Sequence, residues 1–107
     1  MRHASLFAAA ALLLSMAATA HAADRRVNIV NASGNTITHF YASNSGTNSW
    51  EEDILGRDTL DAGDSLLVNI NDGTGACKFD FKAVFEDGSS RVRQGVDVCT
   101  ISSYTYR

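Results

Sequence analysis

The sequence predicts an all-β domain, a small antiparallel β-sandwich or partly open barrel of about six strands with one short helical turn and one disulfide. Three observations carry that expectation. Residues 77–86 alternate strictly, with Cys77, Phe79, Phe81, Ala83 and Phe85 on one face and Lys78, Asp80, Lys82 and Glu86 on the other. A period of two with aromatics on one side marks a half-buried strand packed on a second layer. The chain has no proline, and its β-branched and aromatic runs are separated by clusters of Gly, Asn, Asp and Ser. Two cysteines, Cys77 and Cys99, are the only ones present.

Taken in order, residues 27–31 read as a first strand, and Ala32-Ser33-Gly34-Asn35 as a turn. Asn31-Ala32-Ser33 spells a glycosylation acceptor, but the turn reading dominates. Residues 36–42 (TITHFYA) form a second strand and residues 43–49 (SNSGTNS) a polar loop. Residues 65–70 give a third strand, followed by a turn with two glycines, Gly73 and Gly75. The alternating strand at 77–86 then enters a hairpin through Glu86-Asp87-Gly88-Ser89-Ser90. Beyond it, Val96 and Val98 share one face of residues 91–98, whereas Cys99 and Ile101 share the other. That flip predicts a bulge or sheet switch near Gly95 or Cys99. Tyr104-Thr105-Tyr106 closes the series.

Residues 1–22 read as a secretory leader: Arg2 and His3 precede an apolar run at 6–16, and Ala20-His21-Ala22 is an A-x-A cleavage box. Cleavage is expected after Ala22, with Ala20 the alternative. The run is shorter than the roughly 20 residues of a spanning helix, so no membrane span is expected once the leader is gone. Arg25-Arg26 follows the apolar run, whereas a twin-arginine export signal would place its pair ahead of it. Removing 22 of 107 residues leaves 85, a single β domain over 23–107. Without Arg2, 8 basic residues face 12 acidic ones, a net charge near −4, which argues against a nucleic-acid partner. In an exported chain of this size, Cys77 and Cys99 are expected to form a disulfide. Closing that loop should stabilise the fold by roughly 3 kcal/mol in the chain-entropy model.

Residues 49–65 are the densest in candidate chemistry, with Glu51, Glu52, Asp53, Asp58, Asp61 and Asp64. Ser49 and Glu52 fit a capping box, the next acids suit a helix N-terminus, and Gly56 suits its C-terminal cap. A single helical turn over 50–55 follows, with Trp50, Ile54 and Leu55 as inward anchors. Asp61-Ala62-Gly63-Asp64 is a β-turn signature. A calcium site would draw on Asp58, Asp61, Asp64 and Asp72, yet neither an EF-hand pattern nor a glycine-rich nonapeptide repeat is present, and no cofactor is expected. Transition metals are disfavoured because His39 is the one histidine after the leader. Gly63-Asp64-Ser65-Leu66 matches the GDSL hydrolase tetrapeptide by letter, but Ser65 begins a strand and the Asp-x-x-His such chemistry needs downstream is missing. No carboxylate spacing favours glycoside hydrolysis over solvated charge, so no catalytic residues are expected.

Four blocks in this order resemble a family of small exported bacterial β proteins: residues 31–43 (NASGNTITHFYAS), 50–63 (WEEDILGRDTLDAG), 77–87 (CKFDFKAVFED) and 97–99 (DVC). The resemblance rests on W-E-x-D-[IVL]-[LM]-G and C-x-[FW]-D-[FL] and spans nearly all of residues 23–107, departing at Ser33, where the family often has Thr. It implies a disulfide-tied β fold in the periplasm and no particular activity. Relatives sometimes carry the labels argininosuccinate lyase or twin-arginine (Tat) pathway signal protein. A large helical tetramer does not fit a short chain of strands, and the arginine pair stands on the wrong side of the leader.

The function expected is therefore that of a periplasmic or secreted, non-enzymatic binding module. Its contact surface would be the loop of Trp50, Glu51, Glu52 and Asp53, since loops on a rigid sheet commonly carry function. For Trp50 itself the preferred placement is a core anchor beneath its own helical turn, with the contact surface as the other reading. Rival functions are a calcium-binding β-sandwich and an inhibitor or immunity-type protein that blocks a periplasmic enzyme, the partner itself being unidentified.

Overall fold

The computed structural model describes residues 24–107; the leader expected at 1–22 and both expected cleavage positions lie outside them. Six strands are present among the described residues: β1 (Arg26–Asn31), β2 (Ile37–Asn44), β3 (Ser65–Asn69), β4 (Lys78–Phe85), β5 (Ser90–Asp97) and β6 (Ser103–Tyr106). They form two three-stranded sheets, ordered β3-β1-β6 and β2-β4-β5. Every strand expected from the sequence is there, with ends displaced by at most two residues, as expected of strand boundaries. All pairings are antiparallel except one: β6 runs parallel to β1, from Asn28 opposite Ser103 to Asn31 opposite Tyr106. The chain crosses from the second sheet to the first between β5 and β6, so its last strand returns alongside its first.

The two sheets meet over one core. Val27, Ile29, Val68 and Tyr106 come from the first sheet, and Phe40, Phe79, Phe81, Ala83, Phe85 and Val96 from the second. Rings bridge the gap between sheets: Phe81 meets Tyr104 edge-on at 5.4 Å, and Tyr106 meets Phe85 at 6.2 Å and Phe40 at 6.4 Å. Edge-to-face pairs place the positive rim of one ring on the negative face of another. The Tyr106 hydroxyl is buried without a hydrogen-bond partner, and burial pushes its pKa well above the usual phenol value. Arg91 lies over the Phe85 ring at 5.1 Å and donates to the Arg107 carbonyl, covering the open side of this aromatic stack.

The disulfide joins Cys77, just before β4, to Cys99, just after β5, with the Cα atoms 5.3 Å apart. Beside it, Val98 N donates to the Cys77 carbonyl. The bulge forms at Gly95: Phe79 pairs with Val96 and Phe81 with Arg93, so β5 carries one extra residue, and Gly95 takes φ 68°. A left-handed residue at a bulge is the conformation glycine adopts without steric cost.

Two expectations are corrected. Among the described residues there is no helix; residues 54–57 form a tight turn instead. Gly56 does supply the positive φ, at 59°, but the cap is Asp53 rather than Ser49. Asp53 Oδ1 accepts from Phe40 N at 2.9 Å and Leu55 N at 3.0 Å, and this tie to β2 competes with a continuing helix. Trp50 is also not an inward anchor. Leu55 is in the core and Ile54 packs against it, whereas the indole lies on the outer face of the second sheet. No helix among the described residues is long and apolar enough to cross a membrane.

One local device recurs in the turns. Asn31, Asp72 and Asp87 each accept, through Oδ1, the backbone N–H and the hydroxyl of the Ser or Thr two residues on. Such side-chain turns close a loop locally without a ladder partner. At Asn31 the amide also donates to the Asn35 carbonyl at 2.8 Å and the Leu60 carbonyl at 2.9 Å. The residue is fully buried, so the folded chain does not present Asn31-Ala32-Ser33 as a glycosylation acceptor.

Candidate functional site

The outer face of the second sheet carries two adjacent rows of side chains. Register places Tyr41 opposite Lys82 and Lys82 opposite Val92, a row crossing all three strands. The next row pairs Ser43 with Asp80 and ends at the β5 bulge, where Gln94 stands. Paired residues point to the same side, so alternation along β4 sends Phe79, Phe81 and Ala83 into the core and Asp80 and Lys82 outward.

Trp50 comes off the loop after β2 and settles beside the first row. Its ring centroid lies 6.3 Å from that of Tyr41, and Lys82 Nζ is 5.8 Å from the indole and 5.9 Å from the phenol. An ammonium within about 6 Å of an aromatic centroid is attracted by the ring quadrupole. Half-buried and outside the core cluster, the indole forms one wall of a cavity of about 270 Å³. Ser43, Asp80 and Gln94 belong to its sheet face, and Thr47, Asn48 and Ser49 to its other wall.

Asp80 organises the groove. Its Oδ1 accepts from Ser45 Oγ at 2.8 Å and from Gly95 N at 2.9 Å, tying the loop after β2 to the bulge of β5 across β4. The loop is fixed further by Thr47 N and Thr47 Oγ1 donating to the Asn44 carbonyl, and by Glu51 N donating to Ser43 Oγ at 2.9 Å. Side chains held by such bonds lose less entropy on meeting a ligand than free ones would.

The other residues singled out by sequence are scattered. Asp53 is structural, bonded through Oδ2 to His39 Nδ1 at 2.7 Å and through Oδ1 to two backbone amides. His39 is an exposed residue of β2 whose ring meets the Asp53 carboxylate. Glu51 and Glu52 are exposed and do not line the groove. Asp58 and Asp64 line a second, wider depression together with Arg57 and Ser65, while Asp61 sits in the hydrogen-bonded turn before it. Asp72 belongs to a different turn, where the Thr74 hydroxyl holds its carboxyl below the usual range. Among the described residues, the one group of three Cys, His, Asp or Glu ligand atoms close enough to share an ion is Cys77, Asp97 and Cys99, whose sulfurs are joined to each other. Ser65 opens β3 in the first sheet, whereas His39 is on β2 of the second.

Sequence reasoning missed Tyr41, Ser43, Asp80, Lys82 and Gln94 as neighbours of Trp50. Asp80 and Lys82 carry a usable signal, as the polar face of the clearest alternating strand. The fold and groove together define a class: a disulfide-tied, two-sheet β domain with a tryptophan-walled polar groove on an outer sheet face. Searches against family models, curated proteins and solved structures find no match for the chain.

Proposed function

We propose that this protein is a non-enzymatic binding module of the periplasm or the secreted fraction, and that it binds through the groove beside Trp50. The observation that supports this reading is the position of the chain's one tryptophan. Burying a large apolar side chain favours folding by about 1.5–3 kcal/mol, yet this indole stands outside the core, over Tyr41 and Lys82. Tryptophan with one apolar face and a polar rim is enriched where proteins meet other molecules. An exported location is supported by the Cys77–Cys99 disulfide, a bond that persists in oxidising compartments. A binding role is favoured over catalysis because the groove contains no histidine and its one carboxylate is tied to Ser45 and Gly95.

The experiment is a titration of the ¹⁵N-labelled, disulfide-bonded protein with fractions of periplasmic extract, followed by amide chemical shifts. Shifts clustered at Ser43, Thr47 to Trp50, Asp80 and Gln94 are expected. A cluster confined to residues 57–66, or none in any fraction, would contradict the reading.

A further inference from the structure

From the polar groups lining the groove, and resting on the reading that this face binds, we infer that its ligand is a neutral saccharide, held as a single pyranose ring against Trp50. Four observations lead there. First, the cavity, at about 270 Å³, is smaller than the roughly 300–1,000 Å³ pockets that enclose drug-sized ligands, and it suits one ring. Second, its lining sets the edge of one aromatic ring, Trp50, beside short polar side chains, namely Ser43, Thr47, Asn48, Ser49, Asp80 and Gln94. A pyranose is amphipathic in the same way, with a C–H face that packs on an aromatic ring and a rim of hydroxyls.

Third, the polar groups retain hydrogen-bonding capacity of both kinds. Asp80 Oδ1 takes both of the carboxylate's bonds, leaving Oδ2 as an acceptor, and the Gln94 and Asn48 carboxamides make no side-chain hydrogen bond among the described residues. Ser43 Oγ accepts from Glu51 N, so its proton is free to donate. A carboxylate oxygen accepts only, while each carboxamide donates and accepts. Vicinal hydroxyls, which also do both, satisfy this set without leaving an unpaired partner.

Fourth, charge narrows the ligand. An anionic ligand would be repelled by Asp80, the one charged side chain lining the groove, and the Tyr41 and Trp50 rings that a cation would seek already face Lys82, which stands outside the lining. A neutral polyol meets no repulsion and can donate to the remaining Asp80 oxygen. The exposed Val92, across Lys82 in the adjacent row, gives a second ring of an oligosaccharide a surface to lie on.

Because Trp50 is the sole tryptophan, its emission reports on the groove directly. The test titrates the disulfide-bonded protein with glucose, galactose, N-acetylglucosamine, maltose, cellobiose and chitobiose, each to about 50 mM, enough to saturate a site with a dissociation constant of about 1 mM. Glucuronate and glucosamine serve as charged counterparts. A saturable change in emission with at least one neutral sugar is expected, with a disaccharide binding more tightly than its monosaccharide. Gln94→Ala, at an exposed position where folding is spared, should weaken that binding at least fivefold.

Binding that Gln94→Ala leaves unchanged would overturn the placement, and saturation by glucuronate or glucosamine alone would overturn the ligand class. So would silence from every neutral sugar. In that last case the extract titration separates the two failures: shifts that persist around Trp50 leave a binding module with another ligand, whereas their absence removes both readings.

Discussion

Two polar depressions on this domain look alike in sequence and differ in construction. One, around Arg57, Asp58, Gly63, Asp64 and Ser65, holds part of the densest run of carboxylates in the chain. The other, around Ser43, Trp50, Asp80 and Gln94, has one carboxylate. In the first, the acids are exposed turn residues, and no two of them share a hydrogen-bond donor. In the second, the carboxylate is half-buried, and one oxygen ties together a loop and a neighbouring strand. The lesson is that convergence builds a site and density does not. Turn acids accumulate because Asp closes turns, as Asp72 and Asp87 do here.

The comparison can be broken at several points, the largest effect first. If the groove rests on a rigid floor, Phe81→Ala beneath it should destabilise the fold by about 3–5 kcal/mol in denaturant unfolding. Leu66→Ala, beside the acidic depression and 40 % exposed, should cost far less than the 2–5 kcal/mol of a core truncation. Equal losses would mean that the two regions are equally well anchored.

Asp80 and Asp61 make the sharper pair. Asp80→Ala removes the acceptor of Gly95 N and Ser45 Oγ and should cost about 0.5–1.5 kcal/mol. Asp61→Ala, at an exposed turn, should stay within about 0.5 kcal/mol of the parent. If the order were reversed, Asp80 would not be the organising residue.

Calcium addresses the acidic region by itself. Moving from EDTA to about 1 mM calcium should leave the thermal midpoint unchanged, because Asp58, Asp61, Asp64 and Asp72 do not converge on one point. A site with a dissociation constant of about 10 μM would instead add roughly 2.7 kcal/mol, a shift on the order of 10 °C.

Acid should act on the turns. The Thr74 hydroxyl holds the Asp72 carboxyl below its ordinary value, and the Ser89 hydroxyl does the same for Asp87. Carboxyls depressed in the folded state stabilise it above their unfolded pKa, and that contribution fades as pH falls through the folded value. The thermal midpoint should therefore decline below about pH 4, and Asp87→Asn should blunt the decline. A midpoint that stays flat down to pH 2 would show that these bonds contribute nothing to stability.

Much of the fold was legible in the sequence because strands with one buried face announce themselves by alternation. Phe79, Phe81 and Phe85 marked the inner face of β4, and the face change between Val98 and Cys99 pointed to a bulge or sheet switch near Gly95 or Cys99, of which the structure has the bulge at Gly95. The cysteine pairing followed from there being only two. The candidate site was less legible. Period two tells which side of a strand faces out, but not which residue of the next strand stands beside it. Here Gln94 comes to line the same groove as Asp80 through the one-residue slip at the bulge. The parallel pairing of β6 was equally hidden, since it depends on where the chain re-enters the first sheet. Trp50 and Ser49 misled for a local reason: the capping-box letters are present, but Ser43 takes the Glu51 amide and Asp53 takes that of Leu55.

The most direct test of the central claim compares three proteins against one ligand-bearing periplasmic fraction by amide shift mapping. They are the parent, Trp50→Ala, and a triple variant with Asp58→Asn, Asp61→Asn and Asp64→Asn. The triple variant should bind like the parent, while Trp50→Ala stays folded and loses binding at least tenfold. Binding that survives Trp50→Ala and disappears in the triple variant would contradict the account and make the acidic turns the functional surface.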